Sequence, residues 1–299
     1  MTQTEINKRF FDMLERSTFS QSDEDLLRRA FEYANEHHIN QKRKNGDPYI
    51  THPVEVAFLL CEMGMDTDTI AAGILHDVVE DTDASYSDIK SRFGNQVAML
   101  VDGVTKLTHL PYETKEEEEM ENLRKMFMAM AQDIRVIIIK LLDRLHNMRT
   151  LEFMKPEKQR EISFETMMIY APIAHRLGMN KVKVELEDIS ISYLDPIGCE
   201  EIMNYLESSA EERSSFLSTI IKKISERLAQ SNIQCKVEGR VKHLYGIYRK
   251  IYMQYKDISE VYDIYAVRVI VNTINDCYNV LGIVHDLFRP MPGRFKDYI

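Results

Sequence analysis

The residue types best suited to chemistry in this sequence are two histidines and a set of acids in its first half. One histidine is followed by a His-Asp pair and, much later, by a further acid: His52, His76, Asp77 and Asp143. Imidazole and carboxylate ligands in one set suit a divalent ion such as manganese, iron or zinc. Glu80 and Asp81 follow the His-Asp pair by one helical turn, so we expect these acids to share its face. The pattern predicts a metal site with an acid pair beside it.

The acid at position 143 lies in a segment with helical periodicity, residues 133–150. Asp143, Asn147 and Thr150 form one polar stripe of that segment, while Ile and Leu residues occupy another. A helix that is apolar enough to be buried and still carries a polar stripe usually directs that stripe at a site. The alternative is that the His-Asp pair is an ordinary polar pair of a helix that binds no metal.

Two kinds of architecture are predicted along the chain. Apolar spacing predicts helices over 23–38, 51–64, 67–79, 86–103, 119–131, 133–150, 157–176 and 181–192. We therefore expect an all-α domain over residues 1–195. After a break at Asp195-Pro196-Ile197-Gly198, the pattern predicts helices over 210–230, 243–255 and 276–288 and strands over 233–237 and 264–271. Their alternation indicates an α/β domain over 196–299. Because two strands make a poor sheet, we expect the chain to be truncated within this domain.

The composition excludes several classes of protein. The 299 residues carry 48 acids and 38 Lys or Arg, a formal net charge of −10, which disfavours binding of nucleic acid or anionic membrane by bulk charge. The first residues, MTQTEINKRFF, lack the charged-then-apolar pattern of a secretory signal, and no apolar run approaches the length that spans a bilayer. Four cysteines without a CxxC pair predict neither a disulfide scaffold nor a thiolate zinc site. We expect a cytoplasmic protein with no membrane partner and no directly bound nucleic acid.

Local charge departs from this average in two segments. Residues 236–256 contain six Lys or Arg and one acid, which favours a phosphate-binding site; the alternative is a solvated basic helix face. Tyr245, Tyr248 and Tyr252 of this segment are expected to serve packing rather than base stacking. Residues 113–121 contain six acids and one lysine and are expected to be solvated.

Longer motifs surround the candidate ligands. They are RKNGDPYITHP (43–53), GILHDVVEDT (73–82), VTKLTHL (104–110), KLLDRLHNMRTL (140–151) and YAPIAHRLGM (170–179). The H…HD…D pattern looks like that of HD-superfamily metal phosphohydrolases. The motifs as a whole resemble the bifunctional Rel/SpoT (RelA/SpoT homologue) enzymes, which make and destroy guanosine tetra- and pentaphosphate. The resemblance implies an all-α HD-type metal hydrolase domain followed by an incomplete α/β nucleotidyltransferase-like synthetase domain.

For the first domain, the resemblance implies hydrolysis of guanosine 3′,5′-bis(diphosphate) (ppGpp) and the pentaphosphate (pppGpp) to GDP or GTP and pyrophosphate. Manganese (Mn²⁺) would be held by the four ligands named above, and Glu80 and Asp81 would be the catalytic acid pair. Arg43 and Lys44 would meet the 3′-pyrophosphate. Asn147 and Thr150 would contact the nucleotide, whereas Arg144 would bind either substrate or a structural acid.

For the second domain, the resemblance implies transfer of pyrophosphate from ATP to GDP or GTP. The residues expected to bind nucleotide phosphates are Arg240, Lys242, His243, Lys250, Arg268, Arg294 and Lys296. Asp263 would be a ligand of magnesium (Mg²⁺), and Gly246 stands where the resemblance predicts a serine. The family's second magnesium ligand and its guanine-stacking tyrosine would follow residue 299, so we expect hydrolysis without synthesis. We expect no ribosome contact without the family's C-terminal regulatory region.

Two other functions are compatible with the sequence. The first is an HD phosphohydrolase acting on other nucleotides, and the second is a non-catalytic module that senses the alarmone. The presence of the Glu80-Asp81 pair favours turnover over sensing.

Overall fold

The computed structural model describes residues 1–106, 128, 132–208, 210–261, 264–291, 293 and 295–298. The chain divides into two compact units, Met1–Leu194 and Asp195–Ile299. The first unit is built from helices, and the second combines helices with a small antiparallel sheet. The predicted fold class, an all-α domain followed by an α/β domain, is confirmed. Among the residues that the structure describes, no helix combines the length and apolar composition needed to cross a bilayer.

The first unit begins with two helices whose starts are fixed by capping boxes at Thr2 and Ser20. Asp66 and Asp133 cap two later helices by accepting backbone N–H groups. The helices are α1 (Gln3–Arg16), α2 (Gln21–His37), α3 (Thr51–Glu62), α4 (Thr67–Leu75), α5 (Val78–Asp81), α6 (Tyr86–Lys106), α7 (Ile134–Arg149), α8 (Pro156–Glu165), α9 (Ala171–Arg176) and α10 (Asn180–Leu194). A 3₁₀ turn, Leu151–Phe153, follows α7.

Three predicted helices of this unit are interrupted, the first of them α6, which is kinked at Gly94 where φ is 89° and ψ is 171°. The helix predicted over 67–79 ends at Leu75, so His76 and Asp77 lie on the turn before α5. There His76 Nδ1 lies 2.8 Å from the Gly73 carbonyl oxygen, a local contact of the kind that competes with helical hydrogen bonds. The helix predicted over 157–176 contains a π-helical turn, Thr166–Tyr170, immediately before the proline of α9, which lacks the N–H that a regular α-helix uses.

One helix of this unit was not predicted individually, and one predicted helix is not described. The unpredicted helix is α1, whose apolar residues form part of the core. The helix predicted over 119–131 lies outside the described residues apart from position 128, and so does the acidic run 113–121.

The core of the first unit brings the candidate ligands together. Helix α4 packs against α2, α3 and α6, and α7 packs against α3 and α6. A methyl group on Gly73 would lie 2.3 Å from Leu60 Cδ1, and one on Gly103 would lie 2.7 Å from Val136 Cγ2. These glycines therefore permit close approach of α4 to α3 and of α6 to α7. Three segments with candidate ligands thus meet around one core.

The second unit contains a two-stranded sheet with helices before, between and after its strands. Its elements are α11 (Pro196–Ser208), α12 (Ala210–Gln230), β1 (Cys235–Val241), α13 (Leu244–Tyr248), a π-helical turn (Arg249–Met253), a 3₁₀ turn (Ile258–Glu260), β2 (Tyr265–Val271) and α14 (Ile274–Leu287). The strands pair antiparallel, with Cys235 opposite Val271 and Val241 opposite Tyr265. Strand β1 extends four residues beyond the predicted 233–237 because all seven of its residues pair with β2.

Helix α11 was not predicted, because Pro196 was interpreted as a break. Proline fits the first turn of a helix, where its missing N–H has no helical partner. Asp195 accepts a hydrogen bond of 3.0 Å from the Gly198 N–H and so caps this start. One small core of the unit joins Ile224 and Leu228 of α12 to Val280 of α14.

Candidate active site

The four predicted metal ligands lie together in the first unit. Ligand atoms of His52, His76 and Asp143 are all within 4.8 Å of one another. These three residues are buried, with exposed fractions of 2%, 1% and 5%. The Asp77 carboxylate joins them: Oδ2 is 3.6 Å from His52 Nε2 and Oδ1 is 3.0 Å from His76 Nε2. Residues from α3, from the turn between α4 and α5, and from α7 therefore form one cluster.

This donor set suits a divalent metal ion. His76 Nε2 is buried and, among the residues that the structure describes, has no partner in hydrogen-bonding geometry, although it lies near Asp77. A buried polar nitrogen without such a partner costs free energy, and a bound cation would remove that cost. Two imidazole nitrogens with carboxylate oxygens form the mixed set that divalent ions of intermediate hardness accept. The residues present therefore fit the metal that the sequence pattern predicts.

The charges in the cluster favour ionised carboxylates. Burial opposes ionisation of Asp143, but the Lys140 ammonium and a hydrogen bond from His52 hold its pKa well below the usual range. Burial likewise lowers the pKa of His76, yet the negative charge of the adjacent Asp77 carboxylate outweighs it and raises the pKa to about 9. Without a metal, His76 is therefore protonated at neutral pH. Since a ligating imidazole must be deprotonated, metal binding would replace this proton.

Three side chains hold the ligands from outside the cluster. His146 Nδ1 lies 2.7 Å from His52 Nδ1, and burial lowers the His146 pKa to about 3. Lys140 Nζ donates to Asp143 Oδ2 at 2.8 Å, and Asn147 Nδ2 donates to Asp143 Oδ1 at 2.6 Å. Neither His146 nor Lys140 was among the predicted site residues. Both could have been found from the sequence, because each lies three residues from Asp143 on the same helix and therefore close to its face.

The predicted acid pair lies on α5, beside the cluster. Asp81 is exposed and Glu80 is half-buried. The Tyr49 hydroxyl is 2.7 Å from Asp81 Oδ2 and 2.9 Å from Asp77 Oδ2, so it reaches both the acid pair and a candidate ligand. Burial raises the pKa of Tyr49 above its usual range, so the hydroxyl keeps its proton. Tyr49 was not among the predicted site residues.

A cavity of about 420 Å³ adjoins the cluster. It has a basic and polar wall and an apolar wall, formed by Lys42, Arg43, Lys44, Asn45, Tyr49, Arg144, Asn147, Thr150, Leu151, Phe153, Met154 and Ile162. All five predicted substrate-binding residues therefore line one cavity. Tyr49 and Asn147 connect it to the cluster, because each lines the cavity and contacts a candidate ligand.

Two arginines of the cavity already have protein partners. Arg43 donates to Asn147 Oδ1 at 2.9 Å and to Thr150 Oγ1 at 3.1 Å. Arg144 pairs with Glu165, and its guanidinium carbon lies 4.0 Å from the centroid of the Tyr170 ring. The structural alternative predicted for Arg144 is therefore present, although this residue also lines the cavity.

In the second unit, some of the predicted phosphate-binding residues share a surface. Arg240 and Arg268 are exposed on one face of the sheet, where Arg240 lies opposite Ala266 and Arg268 opposite Glu238. Lys242 and His243 lie between β1 and α13, half-buried, and Lys250 lies on the π-helical turn. The structure describes Lys296 as exposed, whereas the predicted Asp263 and Arg294 lie outside the described residues.

The glycine found in place of the expected serine has a packing role. A methyl group on Gly246 would lie 2.9 Å from His243 Cε1 and 3.0 Å from Lys242 Cε, so a larger residue would displace both side chains. Of the three tyrosines expected to serve packing, Tyr248 and Tyr252 pack against the small core that contains Ile202 and Ile247. The Tyr248 hydroxyl donates to Asp195 at 2.7 Å, and the Tyr252 hydroxyl donates to Glu201.

Two family models match this chain in succession. The HD domain model matches residues 30–180, which include all four candidate ligands and the acid pair. The model described as a region found in RelA / SpoT proteins matches residues 239–299, which include all the predicted phosphate-binding residues of the second unit.

Curated proteins similar to this chain include hydrolases and a synthetase. A probable guanosine-3′,5′-bis(diphosphate) 3′-pyrophosphohydrolase of Synechocystis is 51% identical over 92% of this chain and 36% of its own length. The bifunctional (p)ppGpp synthase/hydrolase SpoT of Escherichia coli is 49% identical over 91% of this chain and 39% of its own length. A GTP pyrophosphokinase of Streptomyces coelicolor is 47% identical over 91% of this chain and 32% of its own length. The chain thus spans less than two fifths of each of these relatives.

Proposed function

The chain belongs to the HD domain family and to the RelA and SpoT proteins, and from this premise we propose that its first unit hydrolyses guanosine 3′,5′-bis(diphosphate) and the pentaphosphate to GDP or GTP and pyrophosphate. The observation that carries the proposal is the buried His52, His76 and Asp143 cluster beside a basic cavity. Relatives named for this hydrolysis, 51% and 49% identical, support it. Our assignment of residues 1–195 to a hydrolase domain follows from the same proposal.

In this proposal, His52, His76, Asp77 and Asp143 hold Mn²⁺. The ion would polarise a phosphoryl oxygen and lower the pKa of water. Asp81 and Glu80 orient the attacking water and accept its proton, and the Tyr49 hydroxyl holds the Asp81 carboxylate at 2.7 Å. Lys140 and Asn147 fix the Asp143 carboxylate by hydrogen bonds of 2.8 and 2.6 Å, so that it keeps one orientation.

The cavity suits a nucleotide that carries several phosphates. Arg43 and Lys44 bind the 3′-pyrophosphate, the first as a planar donor and the second as a point charge. Asn147 and Thr150 contact the nucleoside, and the apolar wall takes the base. Arg43 exchanges neutral acceptors for phosphate oxygens on binding, which gives charge-assisted hydrogen bonds. The cavity volume of about 420 Å³ is within the range of small-molecule sites.

Pyrophosphate release from guanosine 3′,5′-bis(diphosphate), measured with Mn²⁺ and with a chelator, tests the proposal. We expect turnover only with the metal and a fall in kcat of about 100-fold or more in Asp81→Asn. Asp83→Asn is the matched control, since it changes an exposed acid two residues away and should leave kcat unchanged. Parental turnover by Asp81→Asn would show that the acid pair is wrongly assigned.

A substrate panel separates this activity from its two alternatives. The proposed hydrolase releases pyrophosphate from 3′-pyrophosphorylated guanosine and leaves dGTP and cyclic nucleotides intact. A phosphohydrolase of other nucleotides would give the reverse preference. A sensing module would bind the alarmone tightly without turnover.

For the second unit, we propose that Arg240, Lys242, His243, Lys250 and Arg268 bind the phosphates of ATP and of GDP or GTP. The exposed cationic face formed by Arg240 and Arg268 supports this, as does the match to the RelA / SpoT region. Asp263 as a Mg²⁺ ligand, with Arg294 and Lys296 as phosphate contacts, remains a prediction. Binding of ATP measured by calorimetry should weaken in Arg240→Gln and Arg268→Gln but not in Arg289→Gln, which changes a charge after α14.

A further inference from the structure

Three of the four basic residues that line the cavity, Lys42, Arg43 and Lys44, lie on a short closed hairpin, residues 41–49. The Arg43 N–H donates to the Asp47 carbonyl at 2.9 Å, and the Tyr49 N–H donates to the Gln41 carbonyl at 3.0 Å. Gly46 closes the turn with φ +87°, a conformation that favours glycine. The hairpin therefore presents its cationic side chains from a closed backbone rather than from an open loop.

Both ends of this hairpin contact the same acid. At one end, Gln41 Nε2 donates to the Asp81 carbonyl oxygen at 2.8 Å. At the other, the Tyr49 hydroxyl lies 2.7 Å from Asp81 Oδ2. His38 joins the two ends, because its Nδ1 lies 2.7 Å from Gln41 Oε1 and its ring stacks on that of Tyr49 with centroids 4.6 Å apart. The hairpin therefore forms hydrogen bonds with both the backbone carbonyl and the side-chain carboxylate of Asp81.

These contacts give the hairpin two tasks. Its side chains face the cavity, where they meet phosphate in the proposed function, and its ends hold Asp81. We propose that Tyr49 and Gln41 are positioning residues that couple phosphate binding by hairpin 41–49 to the placement of the Asp81 carboxylate. The proposal rests on the proposed function for the role of Asp81, but the coupling itself is a property of the contacts. A displacement of the hairpin by bound phosphate would move the acid with it.

Tyr49 alone cannot establish the coupling, because its hydroxyl also reaches Asp77, a proposed metal ligand. Among the described residues, the Gln41 side chain hydrogen-bonds to His38 and Asp81, neither of which is a proposed metal ligand. Two variants, Tyr49→Phe and Gln41→Met, therefore separate an effect through Asp81 from an effect through the metal. Tyr86→Phe and Gln21→Met are matched controls at exposed positions on other helices.

The first experiment measures pyrophosphate release by the manganese-loaded chain. Both variants should lower kcat by about tenfold, with KM for guanosine 3′,5′-bis(diphosphate) changed by less than about threefold and with unchanged kinetics in the controls. In an Asp81→Asn background, neither variant should lower kcat further, because residues that act through one group are not additive. An equal loss in both backgrounds would overturn the proposal, as would a rise in KM alone.

The second experiment does not require turnover. Hydrogen–deuterium exchange of residues 78–82 should be faster in Tyr49→Phe and Gln41→Met than in the parent chain. Guanosine 3′,5′-bis(diphosphate) should slow exchange there in the parent but not in the double variant. Unchanged exchange in both variants would refute the coupling whether or not the chain is a hydrolase. If exchange is faster in both variants but the parent chain shows no turnover, the coupling stands and the proposed function is refuted.

Discussion

The contact between the imidazoles of His52 and His146 determines which nitrogen of His52 carries the proton. The two Nδ1 atoms of His52 and His146 are 2.7 Å apart, so one of them carries the proton and the other accepts it. For His52 Nε2 to offer a lone pair to a metal, its Nδ1 must be the protonated atom. Burial keeps His146 neutral by lowering its pKa to about 3, so it can act as the acceptor.

Replacing that acceptor should therefore weaken metal binding. We expect His146→Phe to raise the Kd for Mn²⁺ by about 10- to 100-fold, because His52 loses the partner that fixes its tautomer and ring orientation. Calorimetric titration of the metal-free chain measures this. His175→Phe, at an exposed position, is the control. An unchanged Kd in His146→Phe would mean that His146 has only a packing role.

The raised pKa of His76 makes a prediction about pH. Its folded-state pKa of about 9 exceeds the unfolded value of about 6.5, so the stabilisation is complete below pH 6.5 and is lost as pH rises through 9. For this buried group the loss is on the order of 3 kcal/mol. His52 and His146, whose pKa values are lowered, are neutral in both states above pH 7.5 and add no slope.

Urea unfolding of the metal-free chain at pH 7 and pH 9.5 measures this loss. The first unit should be less stable at the higher pH, and His76→Gln should remove most of the difference. An equal pH dependence in the variant would assign the effect to other groups.

At the scale of elements, the contact between α3 and α4 sets the distance between the two histidines. A methyl group on Gly73 would lie 2.3 Å from Leu60 Cδ1, and Leu60 is fully buried. We expect Gly73→Ala to lower the free energy of unfolding by about 1–3 kcal/mol through overpacking. Addition of Leu60→Val should recover part of this loss, since it removes the clashing methyl group. Denaturant unfolding of the single and double variants tests this, and additive losses would contradict it.

Helix periodicity and capping residues predicted several of the helices with both ends within about two residues. The helices predicted over 133–150 and 210–230 are observed as Ile134–Arg149 and Ala210–Gln230. Two helix boundaries were predicted wrongly because apolar spacing does not show the effect of a single side chain or proline on a helix end. The helix predicted through His76 ends before it, where that side chain contacts the Gly73 carbonyl. Pro196 starts a helix that a breaker rule excluded.

The part of the candidate site that could be predicted is the part that residue type indicates. Histidines and acids are recognisable as possible metal ligands from the sequence, and the structure brings His52, His76 and Asp143 together. Tyr49 and His146 were missed because neither contact is local. The first joins residues 28 and 32 positions apart, and the second joins residues 94 positions apart. These contacts depend on tertiary packing, in which α3, which follows Tyr49 and carries His52, packs against α4 and α7.

At the scale of the whole molecule, net charge conceals the local charges that matter. The chain carries −10 overall, yet the described cavity of the first unit is lined by four cations, Lys42, Arg43, Lys44 and Arg144. Arg240 and Arg268 add an exposed cationic face in the second unit. An anionic ligand therefore depends on short-range contacts, which are less screened by salt when they are partly buried.

The two units also have separate cores, and this leads to a prediction for the isolated first unit. The core that surrounds the candidate ligands extends from Ile6 to Leu186, so it lies wholly within Met1–Leu194. A compact unit with its own core is able to fold alone. We expect a fragment of residues 1–194 to unfold cooperatively and to bind Mn²⁺ with a Kd within about threefold of that of the full chain, since every proposed ligand and its supporting contacts are retained. Circular dichroism during heating and calorimetric titration measure both properties. A fragment that lacks cooperative unfolding would show that the second unit is required for the first to fold, whereas a folded fragment that binds no metal would show that the site depends on residues outside this core.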